Sequence, residues 1–250
     1  MGSCRVKVAP ISTREVDALD FVMEPGPCAY SVRNRCSIDA FFADRQQARP
    51  SLWNGQVLML SSWEFQAVEG RTRLQGRFVE TDYATLLWLL HSGDADPEMC
   101  NAFAMAALRG ADGGFVLTRQ ADWTYNAGRI YFAAGTPEPS DIAPDGRVDL
   151  QAGMLRELRE ETGLPGARFT PGARWLALFD DRRLALIREF VAPETASALA
   201  GRIRAFLAEE ARPEIDDVLI AHHPADLQAG MPDFIRHYLL TVWGQPENAA

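Results

Sequence analysis

The chain has 250 residues, of which 47% are hydrophobic, so it can bury a sizeable core in one principal domain with an extension. Its formal net charge of −9 excludes a broad surface for nucleic acid or anionic membrane, which would need clustered Lys and Arg. An anionic substrate would therefore need a local basic patch or a bound metal ion.

The start of the chain and the cysteines predict a cytoplasmic protein. The first ten residues, MGSCRVKVAP, lack the apolar segment of a signal peptide, and the longest apolar run, residues 83–93, is about half of a membrane span. A homodimer is compatible with this sequence. We expect free thiols, with a Cys28–Cys36 disulfide as the alternative, because no C-x-x-C pair occurs among Cys4, Cys28, Cys36 and Cys100.

Residues 1–95 are predicted to form an N-terminal α+β extension that packs on the main domain and shapes its substrate cleft. In chain order its predicted elements are amphipathic helical turns over 12–21 and 38–47, two or three antiparallel strands over 55–82, and a helix over 81–90 that Thr81 or Asp82 caps.

The main domain is predicted over residues 96–250. Two apolar runs joined by GADGG predict a β-hairpin over 102–120, although Ala and Met also make helix a competing prediction for the first run. The remaining elements are a strand over 129–134, a long loop over 135–149, a helix over 149–162, a hairpin over 173–192, a helix over 194–211, a strand over 216–223 and a helix over 231–243. This order favours an α/β (α+β) fold in which helices cover both faces of a mixed sheet.

The helix over 149–162 carries three glutamates close to its end. Glu157, Glu160 and Glu161 lie within an arc of roughly a hundred degrees on one face. Gly163 and Leu164 predict the helix C-terminus, where the helix dipole disfavours negative charge. Converging carboxylates at such a place are typical of a site for a hard cation, although a solvated acidic face is the alternative.

The string RELREETGL resembles the core of the Nudix box, R-E-U-x-E-E-x-G-U, where U is aliphatic. Residues 100–242 are also similar to a Nudix domain in their order of elements, which implies an α/β/α sandwich. Every specified position of this core is matched, by Arg156, Glu157, Leu158, Glu160, Glu161, Gly163 and Leu164.

The resemblance implies that Glu157, Glu160 and Glu161 bind Mg²⁺ or Mn²⁺ and that Arg156 orients one of these carboxylates. It also implies that Gly135 belongs to the loop that precedes the box. The sequence departs from the full box at two positions, where Val148 replaces a glutamate and Ile142 replaces a glycine. Glu138 or Asp149 could supply the missing carboxylate.

The reaction implied by the resemblance is attack of water on one phosphorus of a nucleoside diphosphate linked to another group. A general base must lie close to that water. Glu160 or Glu161 could serve as this base, with Glu189 and Glu214 as alternatives from later loops.

The small-molecule substrate is less visible in the sequence. Aromatic and arginine side chains just before the loop over 135–149 suit a nucleotide, although the aromatic residues could instead cap the edge of the sheet. The long loop and the extension are similar to the Nudix branch that cleaves UDP-sugars, while ADP-ribose, other nucleotide sugars and coenzyme-type diphosphates stay open. A Nudix-fold module that binds a nucleotide without cleaving it is the alternative function. The candidate substrate-binding residues are Arg119, Trp123, Tyr125, Arg129, Gly135 and Glu138.

Overall fold

The computed structural model describes residues 11–92, 99–180 and 182–245. The first of these ranges contains six elements, which are β1 (Ser12–Val16), β2 (Ala18–Met23), α1 (Ala29–Ala48), β3 (Gln56–Val68), β4 (Arg71–Asp82) and α2 (Tyr83–His91). The others contain β5 (Asn101–Arg109), β6 (Phe115–Gln120), β7 (Ile130–Tyr131), α3 (Leu150–Thr162), β8 (Thr170–Phe179), β9 (Arg183–Val191), α4 (Ala196–Leu207), β10 (Ile215–Ala221) and α5 (Asp233–Val242).

A seven-stranded mixed sheet forms the centre of the molecule. Its strand order is β1-β8-β9-β5-β6-β10, and β7 pairs with β6. Strands β5 and β9 run parallel, whereas the other pairs in this sheet are antiparallel. A second sheet has the order β2-β4-β3, in which β3 and β4 form an antiparallel hairpin.

Helices cover both faces of the central sheet, which confirms the α/β/α sandwich. Successive side chains along β5 point to opposite faces of the sheet, as in any β-strand, and therefore belong to different hydrophobic cores. Ala104 packs with Met154 and Leu158 of α3 in one core, whereas Phe103 packs with Leu239 of α5 in the other.

The N-terminal region shares a core with the central sheet. Phe21 of β2 and Phe78 of β4 belong to the same buried cluster as α3. Backbone bonds also join the two parts, since the Leu58 N–H donates to the Pro137 carbonyl at 2.7 Å. The predicted domain boundary at residues 95 and 96 falls outside the described residues and stays a prediction.

The prediction of helical turns over residues 12–21 is wrong, because this segment forms β1 and β2. Five residues of β1 pair with β8, and β2 pairs with β4. Between these strands the Asp17 carboxylate accepts a hydrogen bond from the Thr72 N–H at 2.7 Å, which holds the chain as it changes sheet. Long-range strand pairing here overrides a weak local helical pattern.

The other predicted elements are present at nearly the predicted positions. Residues 38–47 lie within α1, and Asp82 caps α2 by accepting from the Thr85 N–H at 3.0 Å. Of the strand predicted over 129–134, Ile130 and Tyr131 form β7, and Ala134 adds an isolated bridge to Met105. Within the described part of the chain no helix is long and apolar enough to cross a membrane.

The described cysteines are free thiols, so the alternative Cys28–Cys36 disulfide does not form. Cys28 is buried at the N-terminus of α1, where its sulfur accepts from the Ser31 N–H at 3.5 Å. Cys36 is exposed and Cys100 is buried. Cys4 lies outside the described residues, as does Asp181 of the predicted second hairpin.

Candidate active site

Helix α3 fixes the three box glutamates relative to the sheet. Asp149 caps its first turn by accepting from the Ala152 N–H at 2.9 Å, and Leu158 anchors it in the core. Gly163 ends the helix with a φ of 68°, the left-handed conformation that glycine adopts without strain. A Cβ at this position would also lie 2.5 Å from Cδ2 of Phe206. Residue 163 must therefore be small as well as flexible.

Gly135 brings the preceding loop against the box helix. A Cβ at Gly135 would lie 2.5 Å from Cδ of Glu157, closer than real Cβ contacts allow. Only glycine permits this approach, so the backbone of the loop directly borders the Glu157 carboxylate.

Arg156 joins four carboxylates around the start of the site. Its Nη1 lies 2.7 Å from Oε1 of Glu157 and 3.3 Å from Oε2 of Glu160. Its Nη2 lies 3.2 Å from Oδ1 of Asp141 and 3.4 Å from Oε1 of Glu138. Burial opposes the charged guanidinium, but the bond to Asp141 and the charge of Glu157 raise the pKa of Arg156 above its usual value.

Asp141 is a site residue that the sequence did not predict. Its side chain is 6% exposed, the most buried carboxylate in contact with Arg156. Oδ2 of Asp141 also accepts from the Glu138 N–H at 3.0 Å, and the absence of a side chain at Gly153 leaves room for Oδ1. Its position just before Ile142, outside the box pattern, provided no signal.

Asp141 and Glu138 both bring carboxylates to Arg156, whereas the position of the family's glutamate is occupied by Val148. An antiparallel bridge between Ile142 and Val148 folds the loop back on itself, and the Asp149 N–H donates to the Asp141 carbonyl at 2.9 Å. This closure carries Asp141 to the beginning of α3. Of the two carboxylates that the sequence suggested as replacements, Glu138 contacts Arg156, whereas the Asp149 side chain caps the helix. Whether Glu138 replaces the box glutamate stays a prediction.

Glu161 has a carboxyl oxygen with no hydrogen-bond partner in the described structure. Part of its side chain reaches solvent, but its Oε2 atom is buried. Burial, followed by the negative charges of Glu157 and Glu214, raises the pKa of Glu161 to about 8, although hydrogen bonding with the Ala134 backbone and the Gln120 side chain acts in the opposite direction. Burial also raises the pKa of Glu157, an effect that Arg156 opposes and Glu160 reinforces. The ionised forms of Glu157 and Glu161 are therefore unfavourable at the end of α3 unless a positive charge is bound beside them.

The two alternative bases lie in different places. Glu214 precedes β10 and is close enough to Glu161 to influence its ionisation. Glu189 instead lies on β9, where its carboxylate pairs with Arg109 at 3.4 Å. Only Glu214 of this pair is brought toward the box.

A cleft of about 920 Å³ opens beside the Gly135 loop. It lies between α1 and α2 of the N-terminal region and β5 and α5 of the main domain. Gly135 lines it and directly borders Glu157 of α3. Tyr131 also lines it, and burial followed by the Glu161 charge raises the pKa of this tyrosine. The cleft therefore leads to the acidic end of α3.

Three of the six candidate substrate-binding residues line this cleft, namely Tyr125, Arg129 and Gly135. Arg119 lies outside the lining and pairs with Asp217 of β10 at 2.5 Å. Trp123 donates from Nε1 to the Pro213 carbonyl at 2.9 Å and carries the Arg212 guanidinium on its ring. Glu138 faces Arg156.

The donor set at the end of α3 fits a divalent cation that is completed by water and substrate. No group of three or more His, Cys, Asp or Glu side chains among the described residues forms a complete cage. Mg²⁺ does not require one, because it usually keeps several waters and binds one or two carboxylates together with substrate phosphate. The buried Oε2 of Glu161, which has no hydrogen-bond partner among residues 11–92, 99–180 and 182–245, offers such a cation an oxygen.

The chain belongs to the Nudix family. A family model described as the NUDIX domain matches residues 100–238, which is more than half of the chain. The protein is thereby a Nudix pyrophosphohydrolase, the class that the box implied. The likeness to the UDP-sugar branch stays a prediction.

Solved structures with likeness to this chain include two proteins of the same family. A MutT protein from Methanosarcina mazei Go1 is 18% identical with a TM-score of 0.36, and the match covers 60% of this chain and 98% of that one. RenU, a Nudix hydrolase from M. smegmatis, is 13% identical with a TM-score of 0.36, and the match covers 58% and 86%. These low scores add nothing to the family assignment. No curated protein matches the sequence significantly.

Proposed function

We propose that this protein is a divalent-metal-dependent hydrolase that cleaves the diphosphate linkage of a nucleoside diphosphate joined to another group. Its candidate substrates are a nucleotide sugar of the UDP-glucose type and a compound of the ADP-ribose type. The observation that carries the proposal is the buried Oε2 of Glu161, which lacks a partner in the described structure and lies beside the like charge of Glu157. Such a pair is costly unless a cation neutralises it.

Glu157, Glu160 and Glu161 would hold Mg²⁺ or Mn²⁺. When bound, such an ion polarises a phosphoryl oxygen and lowers the pKa of a coordinated water. Arg156 would hold Glu157 and Glu160 in position through its ion pairs with both. Glu160 or Glu161 would accept the proton of the attacking water, with Glu214 as the alternative acceptor.

The substrate would extend from the acidic end of α3 into the cleft. Tyr125, Arg129 and Gly135 support this path, because all three line the cleft and Gly135 also borders Glu157. The net charge of −9 gives an anionic substrate little general attraction. The proposed cation and the arginines of the cleft would provide the attraction locally.

Hydrolysis assays test the proposal directly. The full-length protein with Mg²⁺ or Mn²⁺ is incubated with UDP-glucose, ADP-ribose, NADH and dinucleoside polyphosphates, and release of a monophosphate from at least one is expected. Glu160→Gln should lower kcat by at least about 100-fold, the usual contribution of an acid–base group. Glu209→Gln is the matched control, because Glu209 is exposed beyond the end of α4.

Lack of turnover of every compound with either metal would contradict hydrolysis and favour the non-catalytic binding module. The substitution at Val148 does not by itself favour that alternative, because Asp141 and Glu138 already provide carboxylates for Arg156.

A further inference from the structure

The cleft between the N-terminal region and the central sheet has two groups of aromatic side chains in its lining. Tyr83 and Tyr125 meet edge to face at 5.9 Å between ring centroids, and both belong to the side formed by α2 and the loop after β6. Phe103 of β5 and Phe234 of α5 meet edge to face at 5.7 Å on the side formed by the main domain. Aromatic rings from both the N-terminal region and the main domain thus line the same cleft.

The N-terminal helices hold the loop that carries Tyr125. Nη2 of Arg49 in α1 donates to the carbonyls of Trp123 and Thr124 at 2.6 and 2.7 Å. In α2, Nδ1 of His91 lies 2.8 Å from the Leu87 carbonyl, which can only accept. The Nε2 atom of a neutral His91 therefore accepts from the Tyr125 hydroxyl at 3.4 Å. The position of the Tyr125 ring accordingly depends on residues outside the family-matched range.

The lining of the cleft carries excess positive charge in an acidic protein. It contains four arginines and two aspartates, while the chain as a whole has a net charge of −9. Arg183 pairs with Asp180 at 3.4 Å, and Arg49 is engaged by backbone carbonyls. Arg45 and Arg129 form no ion pair with a carboxylate in residues 11–92, 99–180 or 182–245. Their guanidinium groups can therefore bind an anionic ligand without first breaking such an ion pair.

We infer that this cleft is the nucleoside subsite and that α1 and α2 determine which base the enzyme accepts. A planar nucleobase would stack against the aromatic groups, while Arg45 and Arg129 would attract the attached phosphates. The inference rests on the proposed function, which supplies a nucleoside diphosphate as substrate. A volume of about 920 Å³ is near the upper end of small-molecule sites, as a nucleotide-sized ligand requires.

Calorimetric titration of the full-length protein in Mg²⁺ tests this subsite without turnover. The ligands are AMP, GMP, CMP and UMP, with ribose 5-phosphate as the ligand that lacks a base. At least one nucleoside monophosphate should bind about tenfold more tightly than ribose 5-phosphate, the effect expected of one stacked base. Equal binding of ribose 5-phosphate would overturn the subsite, because the base would then contribute nothing.

Variants of the lining separate stacking from other effects. Tyr125→Ala should weaken the preferred monophosphate about tenfold, whereas Tyr125→Phe, which keeps the ring, should stay within about threefold of wild type. Arg129→Gln should weaken binding and reduce its dependence on salt, because one charge contact with phosphate is lost. Arg168→Gln is the control, since Arg168 is exposed between α3 and β8 outside the lining. Wild-type affinity in both Tyr125→Ala and Arg129→Gln would overturn the inference.

The outcomes also separate this subsite from the proposed hydrolysis. Hydrolysis with an unchanged KM in Tyr125→Ala would leave the proposed function intact and overturn the subsite. Base-dependent binding that Tyr125→Ala weakens, in a protein that hydrolyses none of the tested compounds, would support the subsite and contradict the hydrolysis.

Discussion

The backbone N–H of Val148 donates to the carbonyl of Phe21 at 3.0 Å, and the Val148 side chain is 6% exposed. Strand β2 of the N-terminal region therefore covers the position at which the family pattern has a glutamate. A carboxylate there would be buried in the same apolar cluster as Phe21 and Leu150. The departure from the box is thus explained by how the N-terminal region packs.

Restoring the family residue at this position should destabilise the protein. Val148→Glu should lower the free energy of unfolding by about 3 kcal/mol or more, because it leaves an uncompensated charge in the core. Val148→Leu, a hydrophobic exchange, should cost less than about 1.5 kcal/mol. Urea denaturation measures both values. Equal stability of Val148→Glu and wild type would show that a side chain at position 148 can reach solvent.

Asp141 should matter more for activity than its neighbour Asp149. Asp141→Asn removes the charge that faces Arg156 and should lower kcat/KM by about 10- to 100-fold, as loss of an outer partner of a metal site does. Asp149→Asn should remain close to wild type, because asparagine caps a helix as well as aspartate does. Steady-state kinetics of the two variants checks this difference, and a larger loss in Asp149→Asn would reverse the assignment.

Gly135→Ala should reduce turnover while leaving the fold stable. The added Cβ would displace the Glu157 carboxylate, and misplacement of a catalytic group by about 1 Å can cost about 100-fold in rate.

Gly201→Ala is the matched control for Gly135→Ala. Gly201 lies inside α4, and a Cβ there meets no atom within 4 Å. The substitution should stabilise the protein by about 0.5–1 kcal/mol without changing kcat. A Gly135→Ala enzyme with normal kcat would mean that the loop moves aside freely.

The stability of the N-terminal region should depend on the ionisation of Asp82. Burial disfavours its charge, but hydrogen bonds from Thr85 and Asn54 and the charge of Arg35 hold the pKa of Asp82 below its usual value of 3.8. Because the pKa is lower in the folded state, the resulting stability is present above pH 3.8 and is lost as pH falls through the lowered pKa. Asp82→Asn should therefore be less stable than wild type at pH 7, and the difference should shrink in acid.

Thermal unfolding between pH 7 and pH 3 measures this effect. Asp39→Asn is the control, because Asp39 pairs with the same Arg35 but its side chain is 66% exposed. An exposed pair of this kind contributes about 0.3–0.5 kcal/mol. A difference between Asp82→Asn and wild type that grew on acidification would contradict the prediction.

The sequence by itself determined the elements whose signals are local. Helix α3 has its cap at Asp149, its apolar anchor at Leu158 and its terminating glycine at Gly163, so all three signals lie within residues 149–163. The hairpin of β3 and β4 has its turn at Gly70, and the box glutamates need only the helical repeat to share a face. The family could be inferred from the same short string.

Only the tertiary structure decided the features that depend on distant residues. Strands β1 and β2 exist because β8 and β4 offer pairing edges, although their own sequence favoured helical turns. Asp141 reaches Arg156 only because the Ile142–Val148 bridge closes the intervening loop, and Tyr125 meets Tyr83 only because α2 packs beside the main domain. Such contacts join residues far apart in the chain, and their free energy comes from packing and burial that no local pattern encodes.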